Sequence, residues 1–145
     1  MIINAPFLIG VDPGNNTGVC LYRRSDNQFE IHTVPPWNFI DLVSPWIDDK
    51  GSESFHCIME DPRQNPPVFN RNVKRAVLHK IAQNVGSNKR DTDWLEYYIN
   101  ELSVSLTLIK PTDSKWTSKT LKAITGYSKQ TNEHTRDAIR LVYGR

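Results

Sequence analysis

Two short apolar runs that each end in a carboxylate constrain the fold of this chain more than any other feature of its sequence. The first run spans Phe7 to Asp12 and leads into a loop rich in Gly and Asn, and the second spans Phe55 to Glu60. Runs of this length that are apolar on both faces are typical of central strands in a sheet covered on both sides. Ligands of open α/β sheets bind at the carboxyl ends of the strands. If the two strands are neighbours, Asp12 and Glu60 therefore meet at that edge.

Each of these acids also has a purely structural interpretation. Asp12 could form a turn with the residues that follow it, and Glu60 could face solvent from the end of its strand. Asp61 is a rival ligand, although in a strand its side chain would point away from that of Glu60. Gly14 and Gly18 would permit a tight loop with positive φ and leave room for a backbone or a phosphate to approach.

The rest of the pattern predicts an α/β chain. Further strands are expected at residues 18–24 and 29–34, which would form a meander with the first strand, and at 103–109. Helices are expected over five segments, 37–51 (which Pro45 would interrupt or kink), 71–85, 91–102, 113–124 and 132–143. The resulting order, βββαβααβαα, indicates antiparallel strands first and crossover connections later.

Length and composition exclude several classes of protein. The 145 residues fit a single domain, and no apolar stretch approaches the ~20 residues that a membrane span needs. The first residues lack the basic segment of a secretory signal peptide. Cys20 and Cys57 lie in strand-like apolar contexts, so we expect buried thiols rather than a disulfide, as in a cytoplasmic protein.

Charge is distributed unevenly along the chain. Residues 1–70 hold 4 Lys and Arg against 9 Asp and Glu, whereas residues 71–145 hold 14 against 7. Such asymmetry is compatible with a basic surface that meets a polyanion beside an acidic site. Solvated helix faces would give the same pattern.

The last predicted helix carries a second set of candidate ligands. His134, Asp137, Ala138 and Leu141 fall at i, i+3, i+4 and i+7 and share one face, which Ala138 and Leu141 mark as the core-facing one. A lone histidine on such a face is more often a satisfied core residue. An acid on the same stripe, with two strand-end acids elsewhere, instead favours a metal site.

The four residues of this predicted metal site are Asp12, Glu60, His134 and Asp137. Carboxylate oxygens suit Mg²⁺ or Mn²⁺ better than zinc. Two such ions about 4 Å apart can clamp a phosphoryl displacement, one activating water and one stabilising the leaving oxygen. The sequence contains no cysteine pair with zinc spacing, no serine elbow, no Walker loop and no dinucleotide fingerprint.

Three segments together resemble the RuvC-type Holliday junction resolvases of the RNase H-like superfamily, particularly the small bacteriophage versions. "IGVDPGNNTG" is similar to the family's first-strand segment, "CIMEDP" to its fourth-strand Glu, and "HTRDAIRL" to its final-helix motif. The resemblance implies one RNase H-like nuclease domain over residues 1–145, with a five-stranded mixed sheet flanked by helices. It also implies a homodimer that nicks four-way DNA junctions with Mg²⁺ or Mn²⁺, two ions per active site. The expected location is the cytoplasm, which is that of the bacterial host if a phage encodes the protein.

The resemblance also assigns roles to individual residues. Carried over residue by residue, Asp12, Glu60, His134 and Asp137 become the catalytic metal ligands, and Lys115 or Lys119 becomes the lysine that assists catalysis. Phe69 is the candidate for an aromatic that stacks in the junction. The candidate nucleic-acid contacts are Phe69, Arg71, Lys74, Arg75, Lys110, Lys115, Lys119 and Lys122. In contrast to cellular members, the segment from Ser87 to Leu102 looks longer and more helical.

Three other functions remain open at the level of sequence. A related nuclease could act on flaps, replication forks or RNA. The Asp-x-Gly pattern also resembles the phosphate loop of actin-like and sugar-kinase ATPases, but those proteins need two such domains. A catalytically inactive DNA-binding module would not need the complete set of acids.

Overall fold

The structure is a computed structural model that describes residues 3–65 and 74–145 of the chain. Within these residues, five strands form one mixed sheet in the order β3-β2-β1-β4-β5. The strands are β1 (Phe7–Asp12), β2 (Thr17–Arg23), β3 (Gln28–Val34), β4 (Phe55–Glu60) and β5 (Ser105–Ile109). The first three pair antiparallel as a meander, and β4 and β5 extend the sheet parallel to β1. This α/β arrangement agrees with the predicted RNase H-like fold.

Helices cover both faces of the sheet. They are α1 (Phe39–Lys50), α2 (Arg75–Glu101), α3 (Ser118–Thr125) and α4 (Glu133–Val142). Helices α1 and α2 pack on one face, where Phe39 and Leu95 meet Val11 and Met59. Helices α3 and α4 pack on the other, where their buried side chains meet the remaining apolar positions of the strands, including Leu8, Cys20 and Ile58. Each large apolar side chain removed from water contributes about 1.5–3 kcal/mol, which is why β1 and β4 are apolar on both faces.

Both cysteines are buried free thiols, one in each hydrophobic cluster, as the sequence predicts. Their strand positions place Cys20 and Cys57 on opposite faces of the sheet. Burial raises the pKa of both thiols above the ordinary range, which suits them to packing rather than to reactivity.

The long helix α2 corrects the prediction of two helices in this part of the chain. Residues 75–101 form one continuous helix of 27 residues, and Gly86 lies inside it. An isolated glycine costs a helix only about 1 kcal/mol, so without a proline it does not end one. Residues 71–73 of the predicted first helix lie outside the described residues.

Two smaller corrections concern α1 and α3. Helix α1 runs through Pro45 without interruption, since an exposed proline removes only one hydrogen bond of the ladder and leaves the freed carbonyl to solvent. The alternative, a kink at Pro45, stays a prediction. Helix α3 begins at Ser118 rather than at Asp113, because the Thr117 side chain caps it by accepting a hydrogen bond from the Thr120 amide. Lys115 therefore lies in a loop rather than in a helix.

Candidate metal centre

The predicted meeting of the strand-end acids occurs at the carboxyl edge of β1 and β4. These strands are parallel neighbours in the sheet, and Asp12 and Glu60 both point to the face covered by α4. Asp137 of α4 completes the group, and one carboxylate oxygen from each of the three residues lies within 4.8 Å of the others. Asp12, Glu60 and Asp137 are only 8, 5 and 5% exposed, respectively. The sequence alone predicted all three members of this acidic triad.

Two glycines bring α4 close enough to the sheet for Asp137 to reach the strand-end acids. A Cβ atom at Gly10 would lie 2.2 Å from the carbonyl oxygen of Ala138, and one at Gly18 would lie 2.1 Å from that of His134. Gly18 lies within β2, directly opposite Asp12, and not in the preceding loop. Position 18 requires glycine because the helix backbone approaches it closely, which is one of the two roles that the sequence predicts for Gly18. The other predicted role, positive φ, does not apply there.

The triad carries more negative charge than its surroundings compensate. Burial, together with the neighbouring charges of Glu60 and Asp137, raises the pKa of Asp12 from its ordinary value of 3.8 to about 8, although Lys115 opposes the shift. In the metal-free protein, Asp12 therefore holds a proton at neutral pH. Nδ1 of His134 lies 3.2 Å from Oδ2 of Asp12, so the structure brings the fourth predicted ligand to the rim of the triad.

Lys115 lies at the same site. Its ammonium nitrogen donates to Oδ2 of Asp137 over 2.5 Å, while the side chain remains 56% exposed. Burial alone would lower the pKa of Lys115, but the hydrogen bond to Asp137 and the three nearby carboxylates raise it above its ordinary value. Of the two lysines proposed to assist catalysis, the structure thus places Lys115 on the triad, whereas Lys119 lies in an adjoining groove.

Arg140 is a residue of the site that the sequence analysis missed. Its guanidinium donates to Oε1 of Glu60 over 2.8 Å, and its Nε lies 4.0 Å from Oδ1 of Asp137. A signal was present in the sequence, because Arg140 follows Asp137 by three positions and so projects from a neighbouring part of the same helix. Its partner Glu60, however, is 80 residues away in the chain, a distance at which spacing carries no information.

Asp61, the rival candidate ligand, is not a member of the triad. Its side chain points to the opposite face, as strand alternation predicts, and accepts hydrogen bonds from the backbone amide and guanidinium of Arg63. Burial alone would raise the pKa of Asp61, but these hydrogen bonds hold it below its ordinary value. Arg63 also pairs with Asp93 and Glu96 of α2, so it ties the chain after Glu60 to that helix.

The triad lies in an open cleft of about 370 Å³ that Lys115 and His134 also line. A second groove of about 520 Å³ shares Lys115, Glu133 and Asp137 with the cleft and continues along Lys119 and Arg136. The other predicted nucleic-acid contacts that the structure describes, which are exposed but line neither space, are Lys74, Arg75, Lys110 and Lys122. Phe69 and Arg71 lie outside the described residues.

Comparison with models of known protein families finds no match, and comparison with curated protein sequences finds none either. Among the described residues, no helix is both long enough and apolar enough to cross a membrane.

Proposed function

We propose that this protein is a Mg²⁺- or Mn²⁺-dependent nuclease that hydrolyses phosphodiester bonds in branched DNA. The observation that carries the proposal is the convergence of Asp12, Glu60 and Asp137, with one carboxylate oxygen from each within 4.8 Å of the others, in an open cleft. Buried acids at such separation repel one another strongly unless a cation joins them. The site is therefore suited to a hard cation.

The donor set fits a divalent ion of the magnesium type. Three carboxylates offer the oxygen ligands that Mg²⁺ and Mn²⁺ prefer. The pKa of Asp12 is raised first by burial and then by the neighbouring charges of Glu60 and Asp137, and a bound cation would offset both effects. Asp12, Glu60 and Asp137 would hold the ion, with His134 beside them. When bound, such an ion supplies the positive charge that activates water and stabilises the leaving oxygen of a phosphodiester.

Lys115 and His134 have positions from which they can act on a substrate. The ammonium group of Lys115 is oriented by Asp137 but half exposed, so it can also donate to a phosphate oxygen that enters the cleft. The His134 side chain is 31% exposed, and its ring can bind a cation or accept a proton when it is neutral. Both residues line the cleft that holds the triad.

Nucleic acid is the substrate class that best matches the surroundings of the triad. The cleft opens to solvent, and its continuation carries the cations Lys115, Lys119 and Arg136 beside the acids Glu133 and Asp137. The second half of the chain, which supplies these cations, holds 14 Lys and Arg against 7 Asp and Glu. A polyanion that runs along the groove would pass from these cations to the carboxylates.

The resemblance of the three sequence segments to RuvC-type resolvases makes the four-way DNA junction the first substrate to test. Symmetric resolution of a junction requires two active sites related by a two-fold axis, so we also propose a homodimer. Sedimentation of the protein with and without a junction tests this point. A monomer on the junction would favour a flap, fork or RNA substrate instead.

The decisive experiment is a cleavage assay on a four-way junction, a fork, a flap, a linear duplex and an RNA–DNA hybrid. Each is incubated with Mg²⁺, with Mn²⁺ or with chelator. We expect metal-dependent nicks placed symmetrically in the junction, little cleavage of the linear duplex, and none with chelator. Asp137→Asn should be inactive, whereas Asp48→Asn, which removes an exposed acid of α1, should match wild type. Cleavage that continues in chelator would contradict the proposal.

A further inference from the structure

Arg140 occupies a position that is unusual for a cation, inside a cluster of metal-binding carboxylates. It bridges two members of the triad, since it donates to Glu60 over 2.8 Å and its Nε is 4.0 Å from Asp137. Its side chain is only 14% exposed, and a second guanidinium nitrogen contacts the hydroxyl of Thr112 over 3.3 Å. The guanidinium is therefore fixed between the strand-end acid and the helix acid.

One nitrogen of this guanidinium lacks a hydrogen bond. The Nε atom of Arg140 is buried and has no hydrogen-bond partner among the described residues, because Asp137 lies beyond hydrogen-bond distance. A buried N–H left unpaired is costly and is rare in folded proteins. An arginine that only packed against its neighbours would not be expected to keep a buried, unpaired N–H group beside two carboxylates.

The two cationic side chains that contact the triad limit how much more positive charge the site can accept. The fully ionised carboxylates contribute three negative charges, and Arg140 and Lys115 contribute two positive charges through direct contacts. With one divalent ion bound and no proton left on the carboxylates, the formal charge of this group is +1. A second would leave a formal charge of +3 in a group whose carboxylates are nearly buried, which is strongly unfavourable unless phosphates enter as well.

We propose that Arg140 acts as a built-in positive charge of the metal site, so that the protein without nucleic acid binds one divalent ion per chain rather than two. Arg140 is a positioning residue in this role, because it acts through Glu60 and Asp137. The inference rests on the proposed metal-dependent function, and it differs from the two ions expected from the sequence. The proposal also predicts that removal of Arg140 raises the affinity of the site for cations. Loss of a purely structural residue would not raise this affinity.

The test is Mn²⁺ binding to the full chain without nucleic acid, measured by the electron paramagnetic resonance signal of free Mn²⁺ and by calorimetry. We expect one ion per chain for wild type. For Arg140→Gln we expect at least about tenfold tighter binding of the first ion and uptake of a second, because the repulsive charge is gone. Arg140→Lys, which keeps the charge, should bind one ion as wild type does. Arg23→Gln is the matched control, since it removes an exposed arginine from the opposite end of the sheet.

Thermal unfolding provides a second measurement that does not depend on activity. In chelator, Arg140→Gln should unfold at a lower temperature than wild type, because Glu60 loses the cation that pairs with it, and Mn²⁺ should restore more stability to this variant than to wild type. Two ions of similar affinity in wild type, or unchanged Mn²⁺ affinity in Arg140→Gln, would overturn the role of Arg140 and leave the proposed nuclease intact. Absence of saturable binding in all four proteins would overturn both proposals.

Discussion

The backbone carbonyl of His134 lies directly over Gly18, so that a Cβ atom added to this glycine would lie 2.1 Å from the carbonyl oxygen. Gly18 is paired across the sheet with Asp12, and His134 lies 3.2 Å from the Asp12 carboxylate. One close contact between a strand and a helix thus sets the distance between residues that are 122 positions apart in the chain.

Gly18→Ala should therefore disturb both stability and the metal site. The added methyl group must push α4 away from β2, which we expect to cost about 1–3 kcal/mol and to weaken Mn²⁺ binding, because His134 and Asp137 move with the helix. Chemical denaturation and Mn²⁺ titration measure the two effects. Gly86→Ala is the control, since a Cβ there meets nothing within 4 Å, and it should raise stability by about 0.5–1 kcal/mol. Unchanged Mn²⁺ affinity in Gly18→Ala would contradict this account of the packing.

The stability of the metal-free protein should fall as pH rises from about 4 to about 8. Asp12 has a raised pKa in the folded state, so between its ordinary value of 3.8 and about 8 the folded protein binds a proton that the unfolded chain has released. The stabilisation is thus present at low pH and is lost as pH passes through the folded-state pKa. The asparagine in Asp12→Asn cannot ionise, so we expect the stability of this variant to decline less steeply with pH than that of wild type. Above pH 8 its melting temperature should be higher than that of wild type. Thermal unfolding in chelator at several pH values measures this, and identical pH slopes for the two proteins would disprove it.

The contact between Lys115 and Asp137 leads to a prediction about cleavage and about the salt dependence of DNA binding. Lys115→Gln should slow cleavage about a hundredfold if its ammonium group contacts the reacting phosphate. It should also reduce the slope of log affinity against log salt by about 0.9, the contribution of one phosphate contact. Lys50→Gln, which changes an exposed lysine at the end of α1, provides the control. If binding by Lys115→Gln keeps the wild-type salt slope, Lys115 makes no phosphate contact.

His134 can be tested by exchange for an acid. His134→Asp should retain part of the cleavage activity, because a carboxylate at this position can also bind Mg²⁺, whereas His134→Ala should be much weaker. Single-turnover cleavage at saturating metal separates the three proteins, and His79→Ala, an exposed histidine of α2, serves as control. Wild-type rates in His134→Ala would reduce His134 to a packing residue and the site to three carboxylates.

The parts of the fold that follow from the sequence are those that a local pattern determines. The bounds of β1 and β4 follow directly from their apolar runs, and the acids at their ends follow from the same runs. Asp137 was found because helical spacing placed an acid on a face that also carries Ala138 and Leu141. Each of these inferences uses neighbours within a few positions of one another.

The failures arose where energies are small or partners are distant. A penalty of about 1 kcal/mol at Gly86 could not break α2, because packing of residues such as Leu95 and Ile99 outweighs it. The pairing of Arg140 with Glu60 depends on how α4 lies across the sheet, which no local pattern specifies. The close approach at Gly10 depends on the same packing.

Asp12→Asn provides the most direct test of the central claim that the triad is the catalytic metal site of a nuclease. The substitution preserves shape but removes a charge that the ion needs, so single-turnover cleavage of a four-way junction should fall about a hundredfold or more. Junction binding, measured in parallel, should be retained or improved, because the altered site repels phosphate less. Full cleavage activity in Asp12→Asn would contradict the account.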